Sequence, residues 1–272
     1  MGLRLLAILF LLSSPVAFAE ARRELVLIPT PPPAETVAGL YETQDCSDCP
    51  VMVTIPGHMT IGKFPITVAQ YAVFVAETGL ESDGCTLRGE VKRSLVETAN
   101  WQNPGYEQDG NHPVVCVNWL EATAYAEWLS EKAGKSYRLP AFEELAEAAA
   151  AGTTTDFWWG NSFDNVCRFA NVADAQFKRA YPKDERQLVA CDDGYVHTSP
   201  VMAFPANPWG LHDMAGNVWN WTNSCLKGDC ANAVFRGAGW DVPFPKLLRS
   251  DYSFGDRILL RNDVIGFRLL RE

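Results

Sequence analysis

The sequence predicts an α+β fold that is irregular and loop-rich, with little regular secondary structure. Three observations carry this expectation. Among 272 residues, 20 Gly and 17 Pro punctuate the chain, a density that favours turns and short elements over a long helical bundle. Two capping-box signatures mark helices in the first half. Beyond Gly152 the pattern changes to short runs broken by Gly, Pro, Asn and Asp. With 47% hydrophobic and 21% charged residues the chain can bury a core, which excludes disorder, a collagen repeat and a small disulfide mini-protein. The formal charge of -10 makes nucleic acid and anionic membrane poor partners, since both are polyanions.

Taken in order, Arg4, the apolar run over 5–12 and the small-x-small site Ala17-Phe18-Ala19 read as a secretory signal peptide, residues 1–19, cleaved after Ala19. The run is too short to cross a bilayer, and no later segment reaches the roughly 20 apolar residues of a membrane span. The mature chain is therefore expected to be periplasmic or secreted. Residues 20–39 contain Ile28-Pro29-Thr30-Pro31-Pro32-Pro33, which can neither join a sheet nor continue a helix and reads as an extended leader. One domain over 40–272 follows. A strand is expected over 51–55. Thr67-x-x-Gln70 opens a helix over 68–78 that stops at Gly79, and Asn118-x-x-Glu121 opens a second that stops at Gly134. In the second helix Leu120, Ala124 and Trp128 share one face, with Tyr125 and Leu129 beside them. A third helix follows Pro140 through Phe142, Leu145, Ala146 and Ala149 to Gly152, with Glu143, Glu144 and Glu147 toward its positive end. From there on, strands are expected only around 234–236 and 266–268, in a stretch dense in tryptophan.

Export changes the meaning of the eight cysteines, because an oxidising compartment turns an even count into a disulfide framework. Short loops close most readily, which favours sequential pairing: Cys46 with Cys49, Cys85 with Cys116, Cys167 with Cys191, Cys225 with Cys230. Zinc is the rival reading, but a second C-x-x-C is missing. A redox-active Cys46-x-x-Cys49 would open a helix after a strand, whereas this one precedes the expected strand over 51–55, so a structural staple is favoured.

Several runs resemble the formylglycine-generating enzyme, or sulfatase-modifying factor, family: Asp45-Cys46-Ser47-Asp48-Cys49-Pro50, His112-Pro113-Val114-Val115-Cys116-Val117-Asn118-Trp119 and Tyr137-Arg138-Leu139-Pro140. The downstream blocks are more specific. The stretch from Asn207-Pro208-Trp209-Gly210 through Met214-Ala215-Gly216-Asn217-Val218-Trp219-Asn220-Trp221 resembles the family signature, Arg236-Gly237-Ala238-Gly239-Trp240 its RGGSW block, and Gly266-Phe267-Arg268 its terminal GFR. The resemblance covers roughly residues 40–272 and implies a compact, irregular fold distantly like C-type lectins.

The resemblance also implies a chemistry: two cysteines that bind Cu(I) and activate oxygen to convert a substrate cysteine to formylglycine. Soft thiolates suit that ion. Counting five and ten residues beyond Gly237, where active members carry those cysteines, gives Val242 and Leu247, so copper is not expected. Calcium is expected, because hard oxygen ligands on loops suit it. By resemblance, a first site uses the Asn171 side chain, the Val172 carbonyl, the Asp193 side chain and the Tyr195 carbonyl. A second uses Asp213, the carbonyls of Gly216 and Val218, and Asn220, where the family usually has Glu; the change removes one formal charge and should weaken the site. The plainer alternative is that Asn171 and Asp213 only cap turns.

Other features have bland readings. Asn220-Trp221-Thr222 matches a glycosylation acceptor but falls inside the signature block. His58, His112, His197 and His212 lack metal-ligand spacing. Arg236, Arg249, Arg257, Arg261 and Arg268 line an anionic-substrate groove or, more often for such residues, pair with carboxylates as struts. Two classes of function remain. A binding or accessory protein would hold an exported peptide, protein or glycan in the family cleft, with Trp240, Asp241, Arg249 and Asp251 as candidate lining. An enzyme would perform a cysteine-independent periplasmic maturation step, as the pyoverdine-maturation relative does. A convergent set of ionisable groups, with Asp241, Asp251 and Asp256 as the nearby candidates, would favour the enzyme. No feature of the sequence sets an oligomeric state.

Overall fold

A computed structural model describes residues 39–272; the signal-peptide and leader readings fall on residues outside these, apart from Gly39. Strands β1 (Tyr41–Thr43), β2 (Met52–Ile55) and β3 (Met59–Gly62) precede helix α1 (Val68–Thr78), and a hairpin of β4 (Cys85–Arg88) and β5 (Arg93–Val96) precedes α2 (Trp119–Ala133). Next come β6 (Tyr137–Arg138), α3 (Phe142–Ala150) and α4 (Ala175–Ala180). The C-terminal part holds β7 (Trp219–Leu226), β8 (Asp229–Arg236), α5 (Pro245–Leu248), β9 (Phe254–Arg257), β10 (Ile265–Phe267) and β11 (Leu270–Arg271).

Both capping boxes form as their spacing predicts. In α1 the Thr67 hydroxyl accepts from the Gln70 N–H while the Gln70 side chain accepts from Thr67 N–H, and Asn118 and Glu121 do the same for α2. The buried face of α2 is rotated from the expected one. It presents Glu121, Ala122, Tyr125, Ala126 and Leu129, and Leu120 is left 45% exposed. Periodicity alone does not reveal the reason, which is that the Glu121 carboxylate is buried against the Arg261 guanidinium at 2.7 Å. Between α1 and α2 lies an aromatic core in which Tyr71, Phe74, Tyr125 and Phe267 meet at centroid distances of 5.3–6.3 Å, each ring contributing about 1.5–3 kcal/mol by burial.

Three sheets organise the rest. The first runs β1-β2-β3-β11-β6, and its pairs are antiparallel. Because β11 inserts between β3 and β6, the last residues of the chain close a sheet begun by the first described ones. The second runs β10-β7-β8-β9, with β10 parallel to β7. The third is the β4-β5 hairpin. The region after Gly152 is therefore more ordered than its sequence suggests, with β7, β9, β11, α4 and α5 added to the two expected strands. The first half of β7 shows no alternation because Trp219, Asn220, Trp221 and Thr222 are all buried, so the period-2 signal of a half-exposed strand is missing.

All eight cysteines are paired in sequential order: Cys46–Cys49, Cys85–Cys116, Cys167–Cys191 and Cys225–Cys230. The two longer loops, with separations of 31 and 24 residues, each gain about 3–4 kcal/mol from restriction of the unfolded chain. Thiol titration of unfolded, non-reduced protein is expected to find no reactive group; two or more would contradict the pairing.

Candidate functional site

The chain leaves β8 through Arg236-Gly237-Ala238-Gly239-Trp240 and turns inward. Trp240 is 0% exposed, donates its indole N–H to the Asp263 carbonyl at 3.1 Å and meets Tyr106 and His197 edge-on. It is core and does not line an open cleft. Asp241 is also buried. It belongs to an ion cluster in which Arg88, Arg93 and Arg186 face Asp184, Asp241 and Asp263: Arg93 Nη2 lies 2.7 Å from Asp241, Arg186 Nη2 lies 2.8 Å from Asp184, and the Arg88–Asp184 and Arg93–Asp263 pairs complete it. Val242 is buried, its carbonyl accepting from the Ala173 N–H at 3.3 Å, while Leu247 sits half-buried on α5. Hydrocarbon occupies both positions where the resemblance places the copper thiolates.

Past Val242 and the buried Pro243 the chain surfaces at Phe244 and Pro245 and runs between two hollows of about 590 and 430 Å³ that share Phe163 and Pro245. The larger is walled by Phe157, Phe163 and Tyr252 and carries Lys246, Arg249 and Asp251. Arg249 is held by Asp251 through Nε at 2.9 Å and Nη2 at 3.1 Å, and reaches Asp156 across the groove. The structure thus brings Arg249 and Asp251 together in a groove and leaves Trp240 and Asp241 out of it. Asp156 was not anticipated, since its partner lies 93 residues away. Hydrogen bonding to Arg249 holds the Asp251 carboxyl below its usual range and raises the guanidinium. Both stay charged through neutrality, so neither is poised to exchange a proton. Asp256 lies on β9 beside Arg257. The four histidines bond to four different places: Glu147, Thr198, Tyr181 and the Phe204 carbonyl.

The other arginines divide. Arg261 pairs with Glu121, whereas Arg236 and Arg268 are buried and, among the described residues, have no carboxylate partner and donate only to carbonyls. Burial lowers them to about 9 and about 10. Asn220 is buried in β7, so no glycosylating enzyme reaches its sequon in the folded chain.

The residues expected as calcium ligands fall into two groups. In the first, Asp193 accepts from the Val172 N–H at 2.8 Å and the Tyr195 N–H at 2.9 Å, and its own N–H donates to Asp174 at 2.6 Å. Burial raises its carboxyl to about 7 despite those two bonds. Asn171 turns its Nδ2 to the His197 carbonyl at 2.7 Å, leaving Oδ1 buried with no partner. In the second, buried Asp213 accepts from the Met202 N–H at 3.1 Å, and Asn220 donates Nδ2 to the Val218 carbonyl at 3.0 Å, again leaving a buried Oδ1 unpartnered. Among the described residues, three buried carboxamide oxygens lack partners, and two of them are Asn171 and Asn220; the third belongs to Gln108. Neither Asp193 nor Asp213 forms a salt bridge with a described residue. Orphaned carboxamide oxygens and carboxylates without a salt-bridge partner, one part-buried at Asp193 and one buried at Asp213, are the donor chemistry an oxygen-ligated cation requires, so these residues fit calcium. Asp174, the N-cap of α4, was missed; it approaches Asp193 and Cys167, though the Cys167 sulfur is held in its disulfide.

The sulfatase-modifying factor enzyme 1-like domain profile matches residues 23–272. The chain belongs to this family. Within it, the Mycobacterium tuberculosis formylglycine-generating enzyme is 31% identical over 214 residues, 65% of this chain and 67% of that one. The Bos taurus protein named inactive C-alpha-formylglycine-generating enzyme 2 is 37% identical over 153 residues, 53% of this chain; the match spans 46% of that relative, so this sulfatase-modifying-factor chain accounts for less than half of it. Among solved structures, PvdO from Pseudomonas aeruginosa superposes with a TM-score of 0.70 at 26% identity, covering 85% of this chain and 98% of PvdO.

Proposed function

We propose that this chain is an exported, calcium-stabilised binding protein that holds a peptide segment of its partner in the groove between Phe163, Lys246 and Tyr252, without copper-thiolate oxidation. The observation that carries this reading is the pair Val242 and Leu247 where two thiolates would stand, beside an Arg249–Asp251 pair locked in its charged form. Calcium would be held by Asn171, Val172, Asp193 and Tyr195, and by Asp213, Gly216, Val218 and Asn220. It would supply a fixed charge that neutralises the buried carboxylates and organises the loops behind the groove. Four disulfides of the kind used in oxidising compartments support export, and none of the described helices is long and apolar enough to cross a membrane.

The test joins chemistry to binding. A labelled cysteine-containing sulfatase peptide, incubated with the protein, copper, oxygen and a reductant, should keep its mass. The same peptide should bind, and Tyr252→Ala, which removes an aromatic wall, should weaken binding about tenfold. Conversion to the aldehyde would overturn the reading. The likeness to PvdO supports a second reading, a cysteine-independent maturation enzyme of the pyoverdine-maturation type; a mass change other than aldehyde formation would favour it.

A further inference from the structure

Asn217 stands between the two candidate cation sites and touches both. It is fully buried, and its φ of 64° is a left-handed conformation that Asn adopts more readily than most side chains. Its amide is used at both ends. Oδ1 accepts from the Ser199 N–H at 2.9 Å and from Asn171 Nδ2 at 3.4 Å, while Nδ2 donates to the Ser199 carbonyl at 3.2 Å and to Asp213 Oδ1 at 3.3 Å. Its backbone N–H donates to the Asn171 carbonyl at 2.9 Å. Gly216 beside it packs so closely that a Cβ would lie 2.4 Å from that same carbonyl. Asn171 carries the free oxygen of the first site, and Asp213 is the carboxylate of the second.

Resting on the calcium reading above, we propose that Asn217 is a positioning residue that couples the two sites, so that a divalent cation at either one raises the affinity of the other. The Asn171 amide has its Nδ2 end tied to His197 and Asn217, which leaves Oδ1 as the end free for a cation. Asn217 holds that orientation only while its own Oδ1 faces Asn171, and this is the rotamer that turns Nδ2 toward Asp213. The Ser199 backbone sets the Asn217 rotamer from both ends, and a cation that orders Asp213 tightens the hold of this shared amide on the Asn171 amide. Ordering achieved by the first ion is not repeated for the second, and that saving appears as coupling between the sites. By linkage the effect is reciprocal.

Calcium titration calorimetry on the chelator-stripped full chain tests this. Asp213→Asn isolates the site around Asp193, and Asp193→Asn isolates the site around Asp213. The product of the two wild-type association constants should exceed the product of the two single-site constants by about fivefold or more. Asn217→Gly keeps access to the left-handed backbone and removes the amide, so in that background the factor should fall to about one. A purely structural Asn217 would lower the melting temperature and both affinities while leaving the factor unchanged, and that result would overturn the proposal. If Asn217→Gly fails to fold, the wild-type factor still decides: two ions that bind independently refute the coupling and leave the calcium reading standing. A single equivalent also refutes it, and no calcium binding removes both readings together.

Discussion

Arg93→Ala is expected to lower the stability of the native chain by about 3–5 kcal/mol, the cost of breaking a buried ion pair from one side. Arg93 bridges Asp241 and Asp263, both buried. Burial works against its charge, but the two carboxylates outweigh that effect and raise its pKa, so the guanidinium stays protonated. Removing it leaves two cations against three buried carboxylates. For a chain of this size the loss corresponds to a fall in melting temperature of about 10 °C, readable by circular dichroism. The Cys85–Cys116 disulfide keeps the hairpin tethered, so the damage should appear as lost packing rather than release of β4 and β5. Arg93→Ala combined with Asp241→Asn should cost less than the sum of the single changes, because the double variant no longer strands that carboxylate. A loss below about 1 kcal/mol for Arg93→Ala would mean that water compensates the cluster as it does a surface pair.

That cluster also explains what the sequence could and could not disclose. Capping boxes are local: Thr67 and Gln70, or Asn118 and Glu121, stand three residues apart and make their bonds whatever the rest of the chain does. The β4-β5 hairpin is different. Besides Cys85, Leu87 and Val96, which pack on a small apolar core, it carries Arg88 and Arg93 into the cluster, and nothing local marks these two charges for burial before Asp263, 170 residues beyond Arg93, is brought beside them. The burial of Trp240 and Asp241 has the same origin. Tryptophan and aspartate after a glycine-rich turn suit a cleft or a core equally well, and only the tertiary partners Tyr106, His197 and Arg93 decide. Arg249 and Asp251 were legible because they lie two residues apart on one surface segment. The proposed calcium ligands Asn171, Asp193, Asp213 and Asn220 follow from resemblance to the family. Asp174 and Asn217, which bond to those residues, leave no such trace.

With chelator present, the stability of Asp193→Asn relative to the wild-type chain is expected to rise with pH between about 4 and 7 and to level off above that. Burial raises the Asp193 carboxyl to about 7 in the folded chain, against about 3.9 when unfolded. Across that interval the native wild-type chain retains a proton that the unfolded chain has released. Its stability therefore declines as pH rises, with the penalty absent below the unfolded value and complete above the folded one. The full penalty is about 2–4 kcal/mol after allowance for partial solvent access. Asparagine has no proton to lose, though it forfeits one of the two N–H bonds from Val172 and Tyr195, a pH-independent cost of about 1 kcal/mol. His197, lowered by burial to about 4, is common to both proteins, so its opposite contribution cancels in the difference. Saturating calcium should reverse the order. An ion beside Asp193 keeps it charged, removes the slope and, at a hundredfold excess over its dissociation constant, adds about 2.7 kcal/mol to the wild-type chain alone at this site. Chemical denaturation of both proteins at several pH values, with chelator and with calcium, provides the measurement; a stability difference between the two proteins that calcium leaves unchanged at every pH would remove Asp193 from any cation site.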